Sequence, residues 1–125
     1  MHVQAMLESV TQAGGTGTRA KVAGYRVAGK TGTSRKSQSG GYSENRYISL
    51  FVGFAPVSRP EIAVLVSVDE PTGGQFYGGA VAAPVFSKIM SSALRLRGSL
   101  TDNWQQKLNS DEARTASASS DGDDV

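Results

Sequence analysis

Two strongly apolar segments joined by a short turn constrain this chain more than any other feature. Residues Tyr47 to Ala55 and Ile62 to Val68 are rich in aromatic and β-branched side chains, which favour strands. A turn with a proline at each end, Pro56 to Pro60, separates them. Because the connection is so short, it predicts an antiparallel β-hairpin, and the almost wholly apolar second segment is expected to be a central strand.

The segments on either side of the hairpin predict a third strand and two helices. Residues Tyr25 to Lys36 alternate weakly, as in a strand, and Ser37 to Asn45 is a Ser/Gly loop. One helical stripe precedes them and another, with Pro84 in its first turn, ends at Gly98. The stripes are Val3, Met6, Leu7 and Val10, and Val81, Val85, Phe86, Ile89, Met90, Ala93 and Leu94. The expected fold class is α+β, an antiparallel sheet of about three strands with both helices on one face.

The distribution of charge divides the chain near residue 100. Residues 1–100 carry 11 basic and 5 acidic residues, whereas residues 101–125 carry 2 basic and 6 acidic ones. The second segment is rich in Ser, Ala, Asp and Gln and offers little apolar surface to bury. We therefore expect residues 1–100 to form the folded part and residues 101–125 a disordered acidic tail.

Composition excludes several function classes. The chain has no cysteine, and His2 is its one histidine, so neither a thiolate or multi-histidine metal site nor a His-based triad can be built. We expect no cofactor and no metal. A formal charge of +6 on residues 1–100 is too small to argue for nucleic acid as a partner. No stretch approaches the ~20 apolar residues of a membrane span, so no membrane contact is expected from this segment.

Two short motif matches point to other functions and are disfavoured by their surroundings. Residues Gly24 to Thr31 fit the phosphate-binding pattern G-x-x-x-x-G-K-[ST], but such a loop must follow a buried strand and open a helix. The preceding residues are polar, and the residues after Thr31 carry no helical stripe. The triplet Ser43-Glu44-Asn45 fits S-x-N, but it lies in a polar loop after the strand and is more simply a solvated loop.

A third match, Lys30-Thr31-Gly32-Thr33, lies on a predicted strand and suits peptide binding. Lys30 supplies a fixed positive charge and three donors. Thr31 and Thr33 point to the same face, and Gly32 leaves room for a ligand. The edge of a strand can pair with an extended peptide, and a strand N–H can donate to a developing oxyanion. The segment therefore suits a peptide-like acyl donor with a carboxylate, although a lone strand with one lysine is also compatible with a solvated surface.

Longer runs around this strand resemble the class B penicillin-binding proteins. The run Arg26-Val-Ala-Gly-Lys-Thr-Gly-Thr33 looks like the K-T-G box of that family. The other similar runs are Gly41-Tyr42, Glu44-Asn45, Ser49-Leu-Phe-Val-Gly-Phe-Ala-Pro56, Asp69-Glu-Pro71, Tyr77-Gly-Gly79 and Ala83-Pro-Val-Phe-Ser-Lys88. The similarity covers nearly all of residues 3–103 and is strongest to septal transpeptidases of Gram-negative bacteria. It implies a partial penicillin-binding, serine β-lactamase-like fold and a D,D-transpeptidase that cross-links peptidoglycan.

The resemblance also implies roles for particular residues. Lys30 would polarise the active site, and Thr33 would bind the substrate or drug carboxylate while its N–H completes the oxyanion hole. Thr31 and Gly32 would shape the strand, and Phe76 and Tyr77 would line the pocket. The implied ligands are a peptidoglycan stem peptide or a β-lactam, and the implied location is the periplasmic face of the inner membrane.

One departure from the family bears on activity. No serine in the chain is followed three residues later by a lysine, so the nucleophile motif S-x-x-K is absent, and only 29 residues precede Lys30. Binding groups without a nucleophile cannot form an acyl-enzyme. We therefore expect a C-terminal fragment of a transpeptidase domain that is inactive alone and has the remainder of that domain as a partner. A stand-alone peptidoglycan- or β-lactam-binding module and a small nucleotide-binding protein are the alternatives.

Overall fold

Three antiparallel strands and three α-helices make up the structure, a computed structural model that describes residues 2–120 and gives only the backbone of residues 38, 42–45, 105, 119 and 120. The elements, in chain order, are α1 (His2–Ser9), a short 3-10 helix (Thr18–Ala20), β1 (Ala28–Gln38), β2 (Gly41–Ala55), β3 (Ile62–Asp69), α2 (Gly78–Arg97) and α3 (Asp102–Ser120). The predicted α+β class, with a three-stranded antiparallel sheet, is confirmed.

The sheet has the order β1-β2-β3, so β2 is its middle strand. The prediction that Ile62 to Val68 is central is wrong for the described residues, because β3 lies at the edge. Its side chains alternate between partly buried and exposed, with Val66 the most buried at 7% exposure and Leu65 on the other face 65% exposed. An almost continuous apolar sequence is therefore not specific for a strand buried on both faces. Here it belongs to an edge strand with one apolar face covered and the other exposed.

The predicted loop from Ser37 to Asn45 is also wrong, because β1 and β2 continue through it as a hairpin arm. Ser37 pairs with Tyr42 and Gln38 with Gly41, and the turn uses Gly40 at φ 98° and Gly41 at φ 133°. Glycine adopts these positive φ values without strain. The strands are polar here because the arm extends beyond β3, which pairs with β2 only from Ile48 to Ala55. The S-x-N triplet, residues 43–45, thus has a strand backbone, and its side chains lie outside the described residues.

The hydrophobic core lies between one face of the sheet and α2. Phe51 of β2 and Phe86 of α2 are fully buried, with ring centroids 4.7 Å apart. Around them pack the buried side chains of Ala20, Val22, Val27, Ala55, Val66, Ala82, Ala83, Met90 and Leu94. Val10, which follows α1, packs against the same cluster. On the opposite face of the sheet Val52 is 48% exposed, so the apolar contacts of this chain are concentrated on the α2 side.

α2 begins earlier than its apolar stripe predicts, and this changes the position of Pro84. The helix starts at Gly78, so Pro84 lies in its second turn and not its first. Proline has no N–H, so the helical hydrogen bond to the carbonyl oxygen four residues earlier, here that of Ala80, is not formed. The Arg19 guanidinium donates to this carbonyl at 3.5 Å and compensates in part. The predicted stop is confirmed, since Gly98 adopts φ 70° and its N–H bonds back to the last turn.

Residues 102–120 form the helix α3, although the sequence predicts disorder from residue 101. Asp102 starts the helix and is 8% exposed. Its N–H donates to the Gly24 carbonyl at 3.2 Å, and its carboxylate accepts from Arg26 N–H at 2.5 Å. The other described side chains of α3 are exposed, and good helix formers such as Lys107, Leu108 and Arg114 are mixed with Asn, Ser and Thr, so local propensity favours this helix only weakly. Residues 121–125 lie outside the described part of the chain, and the division at residue 100 remains a proposal.

Candidate functional site

The four residues of the K-T-G segment lie extended on β1, at an edge of the sheet. Lys30 pairs with Val52, Thr31 with Phe51, Gly32 with Leu50 and Thr33 with Ser49. Thr31 and Thr33 both lie on the face covered by the start of α2, where the Gly78 N–H donates to Thr33 Oγ1 at 3.0 Å. The segment thus has the extended geometry and the edge position that the sequence predicts.

The Lys30 ammonium lies beside Thr31. The side chain is exposed, and its Nζ donates to the Thr31 carbonyl oxygen at 3.1 Å and approaches Thr31 Oγ1 at 3.4 Å. Thr31 Oγ1 is also 3.0 Å from Thr16 Oγ1. Thr16 belongs to the polar connector before β1, and no local sequence signal predicts that it reaches the site. A cation and two hydroxyl groups therefore meet at the edge of the sheet, which suits recognition of a carboxylate.

Two glycines allow the start of α2 to approach this strand. A Cβ at Gly78 would lie 2.4 Å from the Leu50 carbonyl oxygen and 2.6 Å from that of Gly32, and a Cβ at Gly79 would lie 2.1 Å from the Thr16 carbonyl oxygen. Any side chain at either position would displace the helix from β1. The backbone of Gly32 thus contacts the start of α2, whereas a Cβ at Gly32 would meet the Leu50 side chain at 3.3 Å and no atom of the helix.

The aromatic loop between β3 and α2 lies against β2. Phe76 stacks on Tyr47 with ring centroids 3.9 Å apart and planes 11° apart, and Tyr77 lies 4.6 Å from Phe76 with 64% of its surface exposed. The Arg35 guanidinium lies 5.8 Å from the centre of the Tyr47 ring. The family resemblance implies Phe76 and Tyr77 as site residues, whereas Arg35 and Tyr47, which are paired across β1 and β2, are missed by sequence reasoning. Their positions follow from the strand register.

A buried hydroxyl lies directly across the sheet from Thr33. Ser49 is fully buried, and its Oγ has no hydrogen-bond partner among the described residues. It shares the face of Thr33 because the two residues are register partners. An unpaired buried hydroxyl is unfavourable by about 1–3 kcal/mol. Ser49 is therefore a local weak point beneath the start of α2.

The structure excludes the nucleotide-binding alternative. Gly24 lies in a tight turn closed by an isolated bridge between Val22 and Tyr25, and the chain is a strand from Ala28 onward. No helix begins near Lys30 or Thr31 along the chain, so the segment does not open a helix as a phosphate-binding loop must. Residues Gly24 to Thr31 therefore match the phosphate-binding pattern in residue types but not in structure.

Three further observations delimit the site. A groove of about 1010 Å³ lies between α3 and the rest of the protein, lined among others by Tyr25, Arg59 and Leu108, and it includes none of the predicted site residues. Among the side chains that the structure describes, no group of three His, Asp or Glu could hold a metal ion. Over the same part of the chain, no helix has the length and apolar character needed to cross a membrane. The candidate site is therefore defined by the K-T-G strand and its neighbours, and not by the groove.

Comparison with known proteins agrees with this fold and shows the family of the chain. The model of the penicillin binding protein transpeptidase domain matches residues 1–91, and the chain belongs to this family. The probable peptidoglycan D,D-transpeptidase PenA of Neisseria flavescens is 47% identical over 96 residues, which are 77% of this chain and 24% of that protein. The peptidoglycan D,D-transpeptidase FtsI of Escherichia coli K12 is 48% identical over 90 residues, 72% of this chain and 15% of that protein.

A solved structure gives the same result at the level of the fold. The apo structure of the TP domain from Burkholderia pseudomallei penicillin-binding protein 3 has a TM-score of 0.72 and 47% sequence identity. The match covers 79% of this chain and 30% of that chain. The chain thus spans about a quarter or less of the curated relatives above and under a third of the solved domain. The resemblance to penicillin-binding proteins seen in the sequence is confirmed.

Proposed function

We propose that this chain supplies the K-T-G wall of the active site of a septal peptidoglycan D,D-transpeptidase. Lys30 to Thr33 form an exposed sheet edge within the residues that the family model matches, and this observation carries the proposal. An extended stem peptide would pair with this edge, and the penicillin ring system would occupy the same place. The parent enzyme would act at the periplasmic face of the inner membrane.

Each residue of the wall has a proposed role. The Lys30 ammonium polarises the reacting groups, and Thr33 binds the carboxylate of the substrate or drug while its N–H contributes to the oxyanion hole. Thr33 Oγ1 already accepts a hydrogen bond from Gly78, so its hydroxyl hydrogen remains available for a carboxylate oxygen. Thr31 and Gly32 shape the strand. Phe76 and Tyr77 line the pocket, at 4.6 Å from one another.

We propose further that the 125-residue polypeptide does not form an acyl-enzyme by itself. Its sequence contains no S-x-x-K, and the acylated serine and its activating lysine would come from the remainder of a transpeptidase domain. The test is to incubate the chain with a fluorescent penicillin, denature it, and measure covalent label. We expect none. A covalent adduct on this chain would contradict the proposal, and reversible binding lost in Lys30→Ala would support the stand-alone binding module instead.

The proposed parent activity is tested in a chimera. Residues 1–100 of this chain replace the matching segment of Escherichia coli FtsI, which supplies the rest of the domain. We expect the chimera to be acylated, and Lys30→Ala to lower the second-order acylation rate by about 100-fold, the size of an electrostatic contribution in an active site. Lys88→Ala, an exposed lysine on α2, is the matched control and should change the rate less than about twofold. A folded chimera without acylation would contradict the proposal.

A further inference from the structure

Four charged side chains meet at one end of the sheet, and we call them the end cluster: Lys36, Arg46, Asp69 and Glu70. Lys36 Nζ lies 2.7 Å from Asp69 Oδ1 and 3.4 Å from Glu70 Oε1. Arg46 Nε lies 3.6 Å from the same Glu70 oxygen. The two cations balance the two carboxylates, so the end cluster is neutral as a whole. None of its members belongs to the K-T-G segment.

Lys36 connects the two outer strands of the sheet by crossing the middle one. It lies on β1 at the point where the register with β2 shifts, between Arg35 and Ser37. Asp69 is the last residue of β3. Adjacent strands are about 4.8 Å apart, so the lysine side chain and the carboxylate together span about 10 Å. Hydrogen bonding to Asp69 raises the pKa of Lys36 above its ordinary value, and Glu70 acts in the same direction.

The end cluster fixes the point where the chain leaves the sheet for the aromatic loop. Glu70 adopts φ 49°, a left-handed backbone that is unusual for a residue other than glycine. Its N–H donates to the Tyr47 carbonyl oxygen at 2.8 Å, while its carboxylate faces Lys36 and Arg46. Phe76 then stacks on the same Tyr47. The loop is therefore attached to β2 at both Glu70 and Phe76.

We propose that Lys36 is a positioning residue, which holds the exit of β3 through Asp69 and Glu70 and thereby places Phe76 on Tyr47 and Tyr77 next to the Gly78 N–H that bonds Thr33. The assignment of these aromatic residues to a substrate pocket rests on the proposed function. The positioning itself is a property of this chain and needs neither ligand nor acylation. A single exposed ion pair contributes little to global stability, so the effect of Lys36 is local.

Hydrogen exchange of the full 125-residue chain tests the proposal. In Lys36→Met we expect the amides of Glu70 and Gly78, which donate to the Tyr47 carbonyl oxygen and to Thr33 Oγ1, to exchange at least about fivefold faster, while the amides of α2 after Ala80 change less than about twofold. Lys36→Arg keeps the charge and should restore the native rates of both amides. Lys88→Met removes an exposed lysine from α2 and is the matched control. In the native chain, 1 M NaCl should accelerate exchange of both amides, and it should add little in Lys36→Met.

Two results would overturn the proposal. One is unchanged exchange of the Glu70 and Gly78 amides in Lys36→Met, and the other is acceleration of equal size throughout the chain. If Lys36→Met does not fold, Asp69→Asn tests the same pair and should accelerate the same amides. Because none of these measurements uses penicillin, a failure here is distinct from a failure of the acylation experiment.

Discussion

At the scale of single residues, Ser49 shows how one side chain under the K-T-G strand limits stability. Its hydroxyl is fully buried without a partner among the described residues, whereas Ser67 is exposed on the neighbouring strand. We expect Ser49→Ala to raise the free energy of unfolding by about 1 kcal/mol, because it removes a desolvated hydroxyl and little volume. For a chain of this size, thermal denaturation should show an increase in Tm of about 3–6 °C. The control Ser67→Ala should stay within about 0.5 kcal/mol of the native free energy of unfolding. An unchanged or lower Tm in Ser49→Ala would contradict the prediction and show that the Ser49 hydroxyl is hydrogen-bonded in solution.

At the scale of elements, the contact between β1 and the start of α2 depends on glycine. A Cβ at Gly79 would lie 2.1 Å from the Thr16 carbonyl oxygen, and this backbone atom cannot move aside as a flexible side chain would. We expect Gly79→Ala to lower the free energy of unfolding by about 1–3 kcal/mol, the usual effect of forcing atoms into a filled space. Urea denaturation measures the change. Ser92→Ala, at an exposed position of the same helix, is the control, and equal stability of the two variants would contradict the close contact.

The same contact bears on the site, because Thr16 is bound to both elements. Its carbonyl lies against Gly79, and its hydroxyl is 3.0 Å from Thr31 Oγ1. Displacing α2 would therefore also displace Thr31 and the Gly78 N–H that bonds Thr33. The elements that build the fold and the side chains that build the candidate site are thus coupled through a backbone contact.

At the scale of the whole molecule, Asp102 connects three distant segments. Its carboxylate accepts from the Arg26 N–H and from Ser58 Oγ, each at 2.5 Å, and its own N–H bonds the Gly24 carbonyl. We expect Asp102→Asn to lower the free energy of unfolding by about 2 kcal/mol, because the NH2 group of the amide would replace one carboxylate oxygen and face a backbone N–H, either that of Arg26 or that of Ser58. Thermal and urea denaturation measure this. Asp111→Asn, at an exposed site on α3, should change stability by less than about 0.5 kcal/mol, and equal effects of the two would contradict the role of Asp102.

The sequence predicts the main elements well where a pattern is strong and local. The stripe from Val81 to Leu94 predicts α2, and the two apolar runs predict β2 and β3, because helical and strand periodicities are properties of neighbouring residues. Prediction from the sequence fails where contacts between residues distant in the chain determine the local structure. The segment from Ser37 to Asn45 is polar, but it is paired in a hairpin arm. The segment after residue 101 is polar, but Asp102 anchors the helix that follows.

The runs around the K-T-G segment, among them Arg26 to Thr33 and Ser49 to Pro56, are sufficient together to predict the family. The strand itself is predictable because side-chain chemistry and a period of two are encoded in consecutive residues. Only the tertiary structure shows that Thr16 meets Thr31, that Tyr47 stacks on Phe76, and that Lys36 crosses the sheet to Asp69. These pairs are 15 to 33 residues apart, and their contacts depend on strand register and on the docking of α2. Register and docking are set by the packing of the whole chain, which no local pattern contains.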